Sequence, residues 1–351
     1  MILVVNCGSQ SIKLKLFDEN LKLLKSSKAE ILNMENYQNI LENELRKISG
    51  RYISLIGHRI VHSGGIFKSP LRITGQNLPE LEKINHLAPL HNPYNILGIK
   101  ACREIFTGVD NFAVFDTEFF KDLPEVAHTY ALPEEIVKEF GFRRYGFHGI
   151  SHEYVARKAA EAVKKPFNKL KIITCHLGGG ASITAIKNGK AIDTSMGFTP
   201  MQGLVMMTRA GDMDSGVILE ITKKFGVEKA DDVLNKESGI KGICGGAEML
   251  KVLEMVKQGD KPAFAEASAR QRKARLALDV FVYSIKKYIG SYFAILGGCD
   301  ILVFTGSIGS GSAKIRNMIC KNLDILKHTK ILSIETDEEL AIAKKVLSIK
   351  Y

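Results

Sequence analysis

The sequence predicts an α/β fold built from two similar domains, and the first observation behind this prediction is a hairpin at its start. Residues 2–5 are all apolar, which is typical of a fully buried strand. Residues 12–16 alternate between aliphatic side chains and lysines, which is typical of a strand with one exposed face. The polar stretch 6–11 between them is therefore predicted to form the turn.

The second observation is an internal repeat of this pattern. The stretch IITCHLGGGASITAIKNG at residues 172–189 again runs from an apolar strand through a Gly/Ser turn into an alternating strand. His176 takes the place that Asn6 has in the first copy. Two such hairpins predict a duplicated domain, with each copy presenting its turn to a shared cleft.

The third observation is the alternation of strands and helices. Short apolar strands are predicted at residues 112–115 and 301–304, each followed by polar residues. Apolar residues recur at helical spacing over 263–296, and helices are also predicted at 151–162 and 338–347. Strands that alternate with helices define the α/β class.

Composition limits the classes of function. The 351 residues, 45% of them hydrophobic, are enough for two domains with buried cores. No apolar run is long enough to span a membrane, and residues 2–5 are too short for the core of a secretory signal. Six cysteines without a CxxC pair predict free thiols in a reducing, cytoplasmic environment, rather than disulfides or a zinc site.

The net charge of +11 raises the question of nucleic-acid binding. Lysines and arginines are, however, spread along the predicted helices, as at residues 286–287 and 344–345, and there is no long basic run. We therefore expect a solvated, lysine-rich surface that attracts anionic substrates, and neither nucleic acid nor a membrane as a partner.

Several motifs carry groups that bind anions. The N–H groups of a Ser/Gly-rich turn, with a lysine such as Lys13 nearby, can hold a phosphate, and two facing turns would form a cradle for a polyphosphate. Histidines and arginines cluster in GHRIVHSGG, LAPLHNP and RRYGFHGISH without the spacing of metal ligands. Arg59 and Arg209 are candidates to bind an anionic substrate, because a guanidinium makes paired, charge-assisted hydrogen bonds.

Taken together, these stretches resemble the acetokinase family of short-chain acyl kinases. The resemblance rests on the joint presence, in order, of NCGSQSIK, GHRIVHSGG, LAPLHNP, VFDTEF, YGFHGISH, CHLGGGAS, SMGFTP, MTRAG and TDEELAIA. It implies two duplicated ribonuclease H-like domains of the actin, hexokinase and Hsp70 type, facing a cleft. Their expected limits are residues 1–118 with 340–351 for one domain, and residues 119–339 for the other.

The resemblance also implies an activity. The family transfers a phosphoryl group from ATP directly and reversibly to a carboxylate such as acetate, giving an acyl phosphate and ADP, with Mg²⁺ as cofactor and Mn²⁺ as a substitute. Its members pair as homodimers through their second domains. Three alternatives stay open from the sequence: propionate or butyrate as the acceptor, another donor such as GTP or pyrophosphate, and a non-enzymatic sensor of nucleotide or acyl phosphate.

Roles for individual residues follow from the same resemblance. Arg59 and Arg209 would hold the carboxylate and the transferring phosphoryl group, and His148 would donate a hydrogen bond to that group. Asp116 would position substrate or metal. The implied Mg²⁺ ligands are Asn6 and Glu338.

The remaining implied site residues form two groups. The acyl chain would enter an apolar pocket lined by Val61, Leu90, Phe147 and Pro200. The nucleotide and its phosphates would contact Ser9, Ser11, Lys13, His176, Leu177, Gly178, Gly179, Gly180, Ser307, Ile308, Gly309, Ser310 and Gly311.

The chain departs from the family pattern in stretches expected to face the nucleotide. Gly179 stands where the family has Asn, residues 307–311 read SIGSG where the family has GIGEN, and Met-Leu-Lys at 249–251 replaces an Asp-Phe-Arg type segment. The residues implied in phosphoryl transfer are all retained. The sequence therefore predicts an intact transfer centre beside an altered adenosine pocket.

Overall fold

A computed structural model describes residues 1–257 and 265–350 of the chain. The chain divides into two compact units: a first unit of Met1–Lys121, Phe147–Tyr154 and Asp337–Tyr351, and a second unit of Asp122–Gly146 and Val155–Thr336. The segment 147–154, which the sequence led us to place in the second domain, groups with the first unit, because Gly149 N donates to Asp116 O at 2.9 Å. No helix in the described part is long and apolar enough to cross a membrane.

The strands form two sheets, one in each unit. They are β1 (Ile2–Cys7), β2 (Ser11–Phe17), β3 (Leu23–Glu30), β4 (Leu55–Ile60), β5 (Leu71–Arg72), β6 (Asp110–Phe115), β7 (Lys171–Leu177), β8 (Ala181–Lys187), β9 (Lys190–Thr194), β10 (Ile301–Thr305) and β11 (Lys330–Ser333). The first sheet has the order β3-β2-β1-β4-β6-β5 and the second has the order β11-β10-β7-β8-β9.

The two sheets share one plan, which confirms the predicted duplication. In the first, β1, β2 and β3 form an antiparallel meander, and β4 and β6 continue the sheet parallel to β1. In the second, β7, β8 and β9 form the same meander, and β10 and β11 run parallel to β7. Parallel strands place their carboxyl ends at one edge of a sheet, and the predicted site residues follow several of these ends.

The α-helices of the described part cover these sheets and connect their strands. They are α1 (Tyr37–Arg46), α2 (Leu78–Lys83), α3 (Asn92–Ile105), α4 (Glu125–His128), α5 (Glu134–Phe140), α6 (Gly149–Val163), α7 (Ser215–Phe225), α8 (Val227–Asp232), α9 (Gly239–Cys244), α10 (Met249–Lys257), α11 (Ala265–Leu296), α12 (Gly306–Gly309), α13 (Ala313–Cys320) and α14 (Glu338–Lys350). The helix predicted over 263–296 is present as α11, and its first two predicted residues lie outside the described ranges.

Strand β1 is buried on both faces, as the apolar run at its start predicts. Leu3 and Val5 pack in a core cluster with residues of α1 and α3, whereas Ile2 and Val4 pack with residues of α14. Helix α14 approaches β4 closely at Gly57, where a Cβ atom would lie 2.7 Å from Ile342 Cγ2. The segment after residue 336 is therefore an integral part of the first unit.

Strand β8 is more buried than its alternating sequence predicts. Ser182 and Thr184 are as inaccessible as the aliphatic residues between them. The hydroxyl of Thr184 forms a hydrogen bond of 3.0 Å with that of Thr194 on β9. The alternation of polar residues indicated an exposed face, but this face is buried, and its hydroxyl groups are hydrogen-bonded inside the protein.

Candidate active site

Arg59 lies near the end of β4 and is held by two carboxylates. Its Nε and Nη2 donate to the two oxygens of Asp116, at 3.2 and 2.7 Å. Its Nη1 lies 3.3 Å from Oε2 of Glu338, the first residue of α14. Asp116 follows β6, which is the parallel neighbour of β4, so the topology itself brings the pair together. Three residues of the predicted transfer centre are thus in direct contact.

Arg59 carries a positive charge that the two carboxylates hold in place. The side chain of Asp116 is only 1% exposed. Burial raises the pKa of the Asp116 carboxyl, and Glu338 raises it further, whereas Arg59 opposes both effects. Burial by itself would lower the pKa of Arg59, but Asp116 and Glu338 raise it overall. The guanidinium stays charged and its orientation is fixed, which is what electrostatic stabilisation of a developing charge requires.

Asn6, in β1, contacts the acid next to the one that holds Arg59. Its Nδ2 donates to Oε1 of Glu339 at 3.0 Å in a buried hydrogen bond. Lys15 Nζ lies 3.3 Å from Glu339 Oε2 and 2.8 Å from Asp337 Oδ1. Burial acts to raise the pKa of Glu339, but the Asn6 amide and the charges of Lys15 and Lys13 lower it overall. Asn6 and Glu338 are the predicted metal ligands. Asn6 contacts Glu339 directly, and Glu338 is the residue before Glu339 in the sequence.

The first polar turn has a fixed main chain and accessible side chains. Gly8 N donates to Ser11 O at 2.9 Å, and Tyr37 Oη donates to Gly8 O at 3.2 Å. Ser9 and Ser11 are partly exposed and Lys13 is exposed. Within residues 1–257 and 265–350, Lys13 forms no ion pair. Two hydroxyls and one ammonium group are thus available to an anion at this turn.

His148 is held in a left-handed conformation beside Asp116. Its φ is +58°, which is uncommon for a residue with a side chain and is often found at functional sites. The next residue, Gly149, begins α6 and lies so close to the preceding loop that a Cβ atom would be 2.2 Å from Asp116 O. Main-chain packing therefore ties the position of His148 to that of Asp116.

The predicted acyl-pocket residues of the first unit lie in different environments. Val61 and Phe147 are buried, whereas Leu90 is 39% exposed. The Phe147 ring lies 5.6 Å from the ring of His62, measured between centroids. His62 Nδ1 accepts from Gly64 N at 2.8 Å, and burial lowers the pKa of His62 to about 4. A neutral His62 ring therefore packs against Phe147.

His58 has a structural role. Its Nε2 lies 2.7 Å from Asn111 Oδ1, and its side chain is buried within the sheet. Burial lowers the pKa of His58 to about 4, although the Asn111 hydrogen bond opposes this shift. The two histidines of GHRIVHSGG are thus neutral, buried rings that precede and follow the charged Arg59 in the sequence.

In the second unit, three predicted segments lie against one another. Gly306 has a φ of +78°, and a Cβ atom there would be 2.6 Å from Leu177 O. Ser307 Oγ lies 3.6 Å from the place that a Cβ of Gly178 would take. Met207 N donates to Gly179 O at 3.2 Å. The glycine turn after β7, the start of α12 and the loop before Arg209 therefore form one continuous region.

The segment 249–251 departs from the family pattern at the start of α10. Met249 is buried and Leu250 is 74% exposed. Lys251 Nζ lies 2.8 Å from Glu248 Oε1 in a surface ion pair. Two of these three side chains therefore have structural partners within the second unit.

Arg209 is a partly buried cation whose hydrogen-bond partners are neutral. Its Nη1 donates to Pro200 O at 3.3 Å and lies 3.9 Å from Met206 Sδ. In the described ranges no carboxylate pairs with it, in contrast to Arg59. Burial lowers the pKa of Arg209. A guanidinium that is largely removed from water without a counter-charge is a favourable place for a substrate anion.

Sequence reasoning missed the polar residues that support this site. Glu339, Asp337 and Lys15 link α14 to the β1–β2 hairpin, and the motif TDEELAIA gave a role only to Glu338. His62 was noted as one of a cluster, with no partner assigned. Asn92 and Asn95 in the LAPLHNP region had no role assigned at all, because contacts across 30 or more residues leave no local pattern.

Comparison with known proteins decides between an enzyme and a binding protein. The acetokinase family pattern matches residues 36–347. The chain belongs to the acetokinase family. It is therefore an enzyme, a phosphotransferase that acts on a carboxyl group, rather than the non-enzymatic sensor considered from the sequence, and its family uses ATP and ADP as substrates.

The similarity to individual relatives extends over nearly the whole chain. The acetate kinase of Dictyoglomus turgidum is 39% identical over 404 aligned positions, which cover 99% of this chain and 97% of that protein. Because this alignment is longer than the 351 residues here, the chain lacks segments that the relative has. The acetate kinase of Carboxydothermus hydrogenoformans is also 39% identical, with coverage of 99% and 98%.

Two solved structures have the same fold. The crystal structure of Porphyromonas gingivalis acetate kinase superposes with a TM-score of 0.88 at 33% identity, covering 100% of this chain and 99% of that one. A propionate kinase from Francisella tularensis gives a TM-score of 0.86 at 34% identity, with 99% coverage of both chains. The predicted fold class of duplicated actin- and hexokinase-like domains is confirmed.

Proposed function

We propose that this protein is an acetate kinase, which transfers a phosphoryl group from ATP to acetate in a reversible reaction. The observation that carries the proposal is the charge of Arg209, which no carboxylate of the described residues balances. A carboxylate or phosphoryl oxygen of the substrate supplies that counter-charge through the guanidinium fork. The curated acetate kinases that match this chain support acetate as the acceptor.

In the first unit, Arg59 is the proposed ligand of the transferring phosphoryl group. Asp116 and Glu338 hold its guanidinium in one orientation, so little reorganisation is needed as charge develops. His148 donates a hydrogen bond to the same group, from a main chain that the packing of Gly149 fixes. In-line phosphoryl transfer depends on such positioning and charge stabilisation more than on covalent help from the protein.

The oxygen atoms of the first unit suit Mg²⁺. Asn6 and Glu338 offer an amide and a carboxylate oxygen, which are hard ligands of the kind that Mg²⁺ prefers. No set of three His, Cys, Asp or Glu side chains in the described part could hold a metal ion. Mg²⁺ commonly binds through one or two protein oxygens together with water and substrate phosphates, and this donor set fits that mode. Bound Mg²⁺, or Mn²⁺ in its place, neutralises phosphate charge.

The decisive experiment traps the product with hydroxylamine. Purified protein is incubated with acetate, propionate or butyrate, each against ATP, GTP or pyrophosphate, and the acyl hydroxamate is measured. We expect acetate with ATP to give the highest specificity constant. Absence of hydroxamate with every pair, from protein that binds ATP and is folded, would refute the proposal.

Propionate is the second candidate acceptor, because a propionate kinase structure matches this chain at 34% identity, against 33% for the acetate kinase structure of Porphyromonas gingivalis. The buried side chains of Val61 and Phe147 limit the acyl chain only by size. One extra methylene changes binding by about 1–3 kcal/mol, so a pocket of this kind discriminates by about 10- to 200-fold.

A different phosphoryl donor is the other alternative. Ser307 Oγ lies near Gly178, so the side chain that departs from the family pattern is adjacent to the glycine turn. A change there can weaken contacts with nucleoside while the transfer chemistry persists. We still rank ATP as the first donor, because a serine is small.

We also propose a homodimer that forms through the second unit, in a reducing cytoplasmic environment. Helix α7 has no buried residue, although it carries Val217, Ile218, Leu219 and Phe225. An exposed apolar helix of this kind is typical of an interface. All six cysteines are free thiols, which is consistent with a reducing compartment.

A further inference from the structure

Helix α3 carries two buried asparagines, one turn apart, whose side chains bind main chain. Asn92 is 0% exposed and Asn95 is 3% exposed. A buried amide is costly unless its donor and its acceptor are both satisfied. Both requirements are met by main-chain groups at or just beyond the ends of β1 and β4, rather than by the helix itself.

Asn95 bridges the ends of β1 and β4. Its Oδ1 accepts from Val61 N at 3.1 Å, and its Nδ2 donates to Cys7 O at 2.5 Å. Asn92 binds the next residue along, since its Oδ1 accepts from His62 N at 3.1 Å and its Nδ2 donates to His62 O at 3.0 Å. Each amide therefore uses both of its ends on main-chain groups.

The place of this bridge in the sheet explains why an amide is needed. Strands β1 and β4 pair in parallel only as far as Val5 and His58. Cys7 and Val61 lie beyond that point, so β1 and β4 no longer hold each other there. The side chain of Asn95 supplies one acceptor and one donor in place of the missing ladder. Helix α3 comes close enough to do so at Gly98, where a Cβ atom would lie 2.8 Å from Cys7 Sγ.

The two segments that Asn95 joins carry different parts of the proposed site: the phosphate-binding turn and Arg59. Cys7 lies between Asn6 and the polar turn with Ser9 and Ser11, and Val61 lies two residues after Arg59. We propose that Asn95 is a positioning residue of the phosphoryl-transfer site, which sets the distance between the phosphate-binding turn and Arg59. Asn92 supports it by fixing His62. This inference rests on the proposed kinase activity.

A matched control is available in the same unit. Asn111 is also buried, and its amide also uses both ends, on His58 Nε2 at 2.7 Å and on Val109 O at 2.8 Å. It lies at the start of β6, five residues before Asp116. Asn95→Ala and Asn111→Ala therefore each remove a buried, fully bonded amide from one unit, but only the first lies at the strand ends that carry the site.

The first test compares these variants in hydroxamate formation and in urea unfolding. We expect similar losses of stability, but a fall in kcat of about 10²-fold for Asn95→Ala against less than about 3-fold for Asn111→Ala, because a misplacement near 1 Å costs about 10²-fold. The KM for acetate should change much less than kcat. Equal kcat values for the two variants would overturn the inference, whereas wild-type protein without hydroxamate formation would overturn the proposed function instead.

The second test uses Asn95→Asp, which keeps the size of the side chain. As a carboxylate it faces Cys7 O with an acceptor, but as a neutral carboxyl it donates there and still accepts from Val61 N. Burial raises the pKa of such a carboxyl, so the kcat of Asn95→Asp should recover towards the wild-type kcat as the pH is lowered, with circular dichroism unchanged, whereas that of Asn95→Ala should not. An Asn95→Asp kcat that stays as low as that of Asn95→Ala at every pH from 8 down to 5 would contradict the positioning role.

Discussion

The close approach of Gly149 to Asp116 provides a sharp test of how the site is held together. A Cβ atom on residue 149 would lie 2.2 Å from Asp116 O, 3.0 Å from Phe119 Cβ and 3.1 Å from Phe120 Cε2. Ordinary contact begins at 3.4 Å, so Gly149→Ala must separate the two main chains by about 1.2 Å. The partner at the shortest distance is a carbonyl oxygen of the backbone, which cannot rotate away.

The expected effect on activity follows from that displacement. Asp116 binds Arg59 at 2.7 and 3.2 Å, and a shift of this size breaks one or both hydrogen bonds. His148, the neighbour of Gly149, moves as well. We expect kcat to fall by about 10²-fold, which corresponds to about 2.7 kcal/mol of transition-state stabilisation. Stability should fall by about 1–3 kcal/mol, as for other overpacked sites.

The assay is hydroxamate formation at saturating acetate, ATP and Mg²⁺, with urea unfolding in parallel. Gly50→Ala is the matched control, because no atom lies within 4 Å of a Cβ at that position in the same unit. Its kcat should equal that of the wild type. If Gly149→Ala retained more than half of the wild-type kcat, the link between Asp116 and His148 through this contact would be wrong.

Four further predictions concern other parts of the molecule. Arg209→Ala should lower kcat by about 10²–10³-fold or more with little loss of stability. Arg59→Ala should lower both kcat and stability, because it leaves Asp116 and Glu338 buried without their partner; steady-state kinetics and urea unfolding distinguish the two variants. The pKa of His58 is about 4 in the folded protein. Unfolding exposes His58 and restores a pKa of about 6.5, so the unfolded state binds more protons between about pH 4 and pH 6.5. The free energy of unfolding should therefore be highest above about pH 6.5 and fall by up to about 3 kcal/mol towards pH 4. Unfolding curves over this pH range in which His58→Gln shows the same pH dependence as the wild type would count against this. Ser307→Gly should sharpen the preference for ATP over GTP and pyrophosphate in kcat/KM, and an unchanged preference would mean that the departure is neutral. Leu219→Glu should convert a dimer to a monomer in light scattering, with Glu220→Gln on the same helix as the control, and a monomeric wild type would refute the proposed interface.

Much of the fold could be predicted because it depends on local patterns. The apolar run of β1 and the alternation in β2 define a hairpin, and its repeat after residue 171 showed the duplication before any contact was known. Arg59 was a candidate because a guanidinium suits an anion, and a role for Asp116 was implied by the resemblance to the acetokinase family. Their contact follows from the topology, because β4 and β6 are parallel neighbours and bring their ends together.

The supporting contacts could not be predicted in this way. Asn6 and Glu339 are hydrogen-bonded across 333 positions of sequence, and the choice of Glu339 over Glu338 depends on how α14 is rotated against β1. The need for glycine at position 149 arises from one carbonyl oxygen that lies 33 residues earlier in the chain. Such details depend on packing to within a fraction of an ångström, which residue types alone do not specify.

The return of α14 to the first sheet has a consequence for how the protein is made. A ribosome that has produced residues 1–121 has made every strand of this sheet, but neither the helix that covers Ile2, Val4 and Gly57 nor the carboxylate of Glu338. The second unit must be translated first, which takes on the order of 10–40 s at bacterial and eukaryotic elongation rates. During that interval the face of the sheet that carries Ile2 and Val4 has no α14 to cover it. The proposed phosphoryl-transfer site can therefore be complete only after the segment from residue 337 onward has left the ribosome.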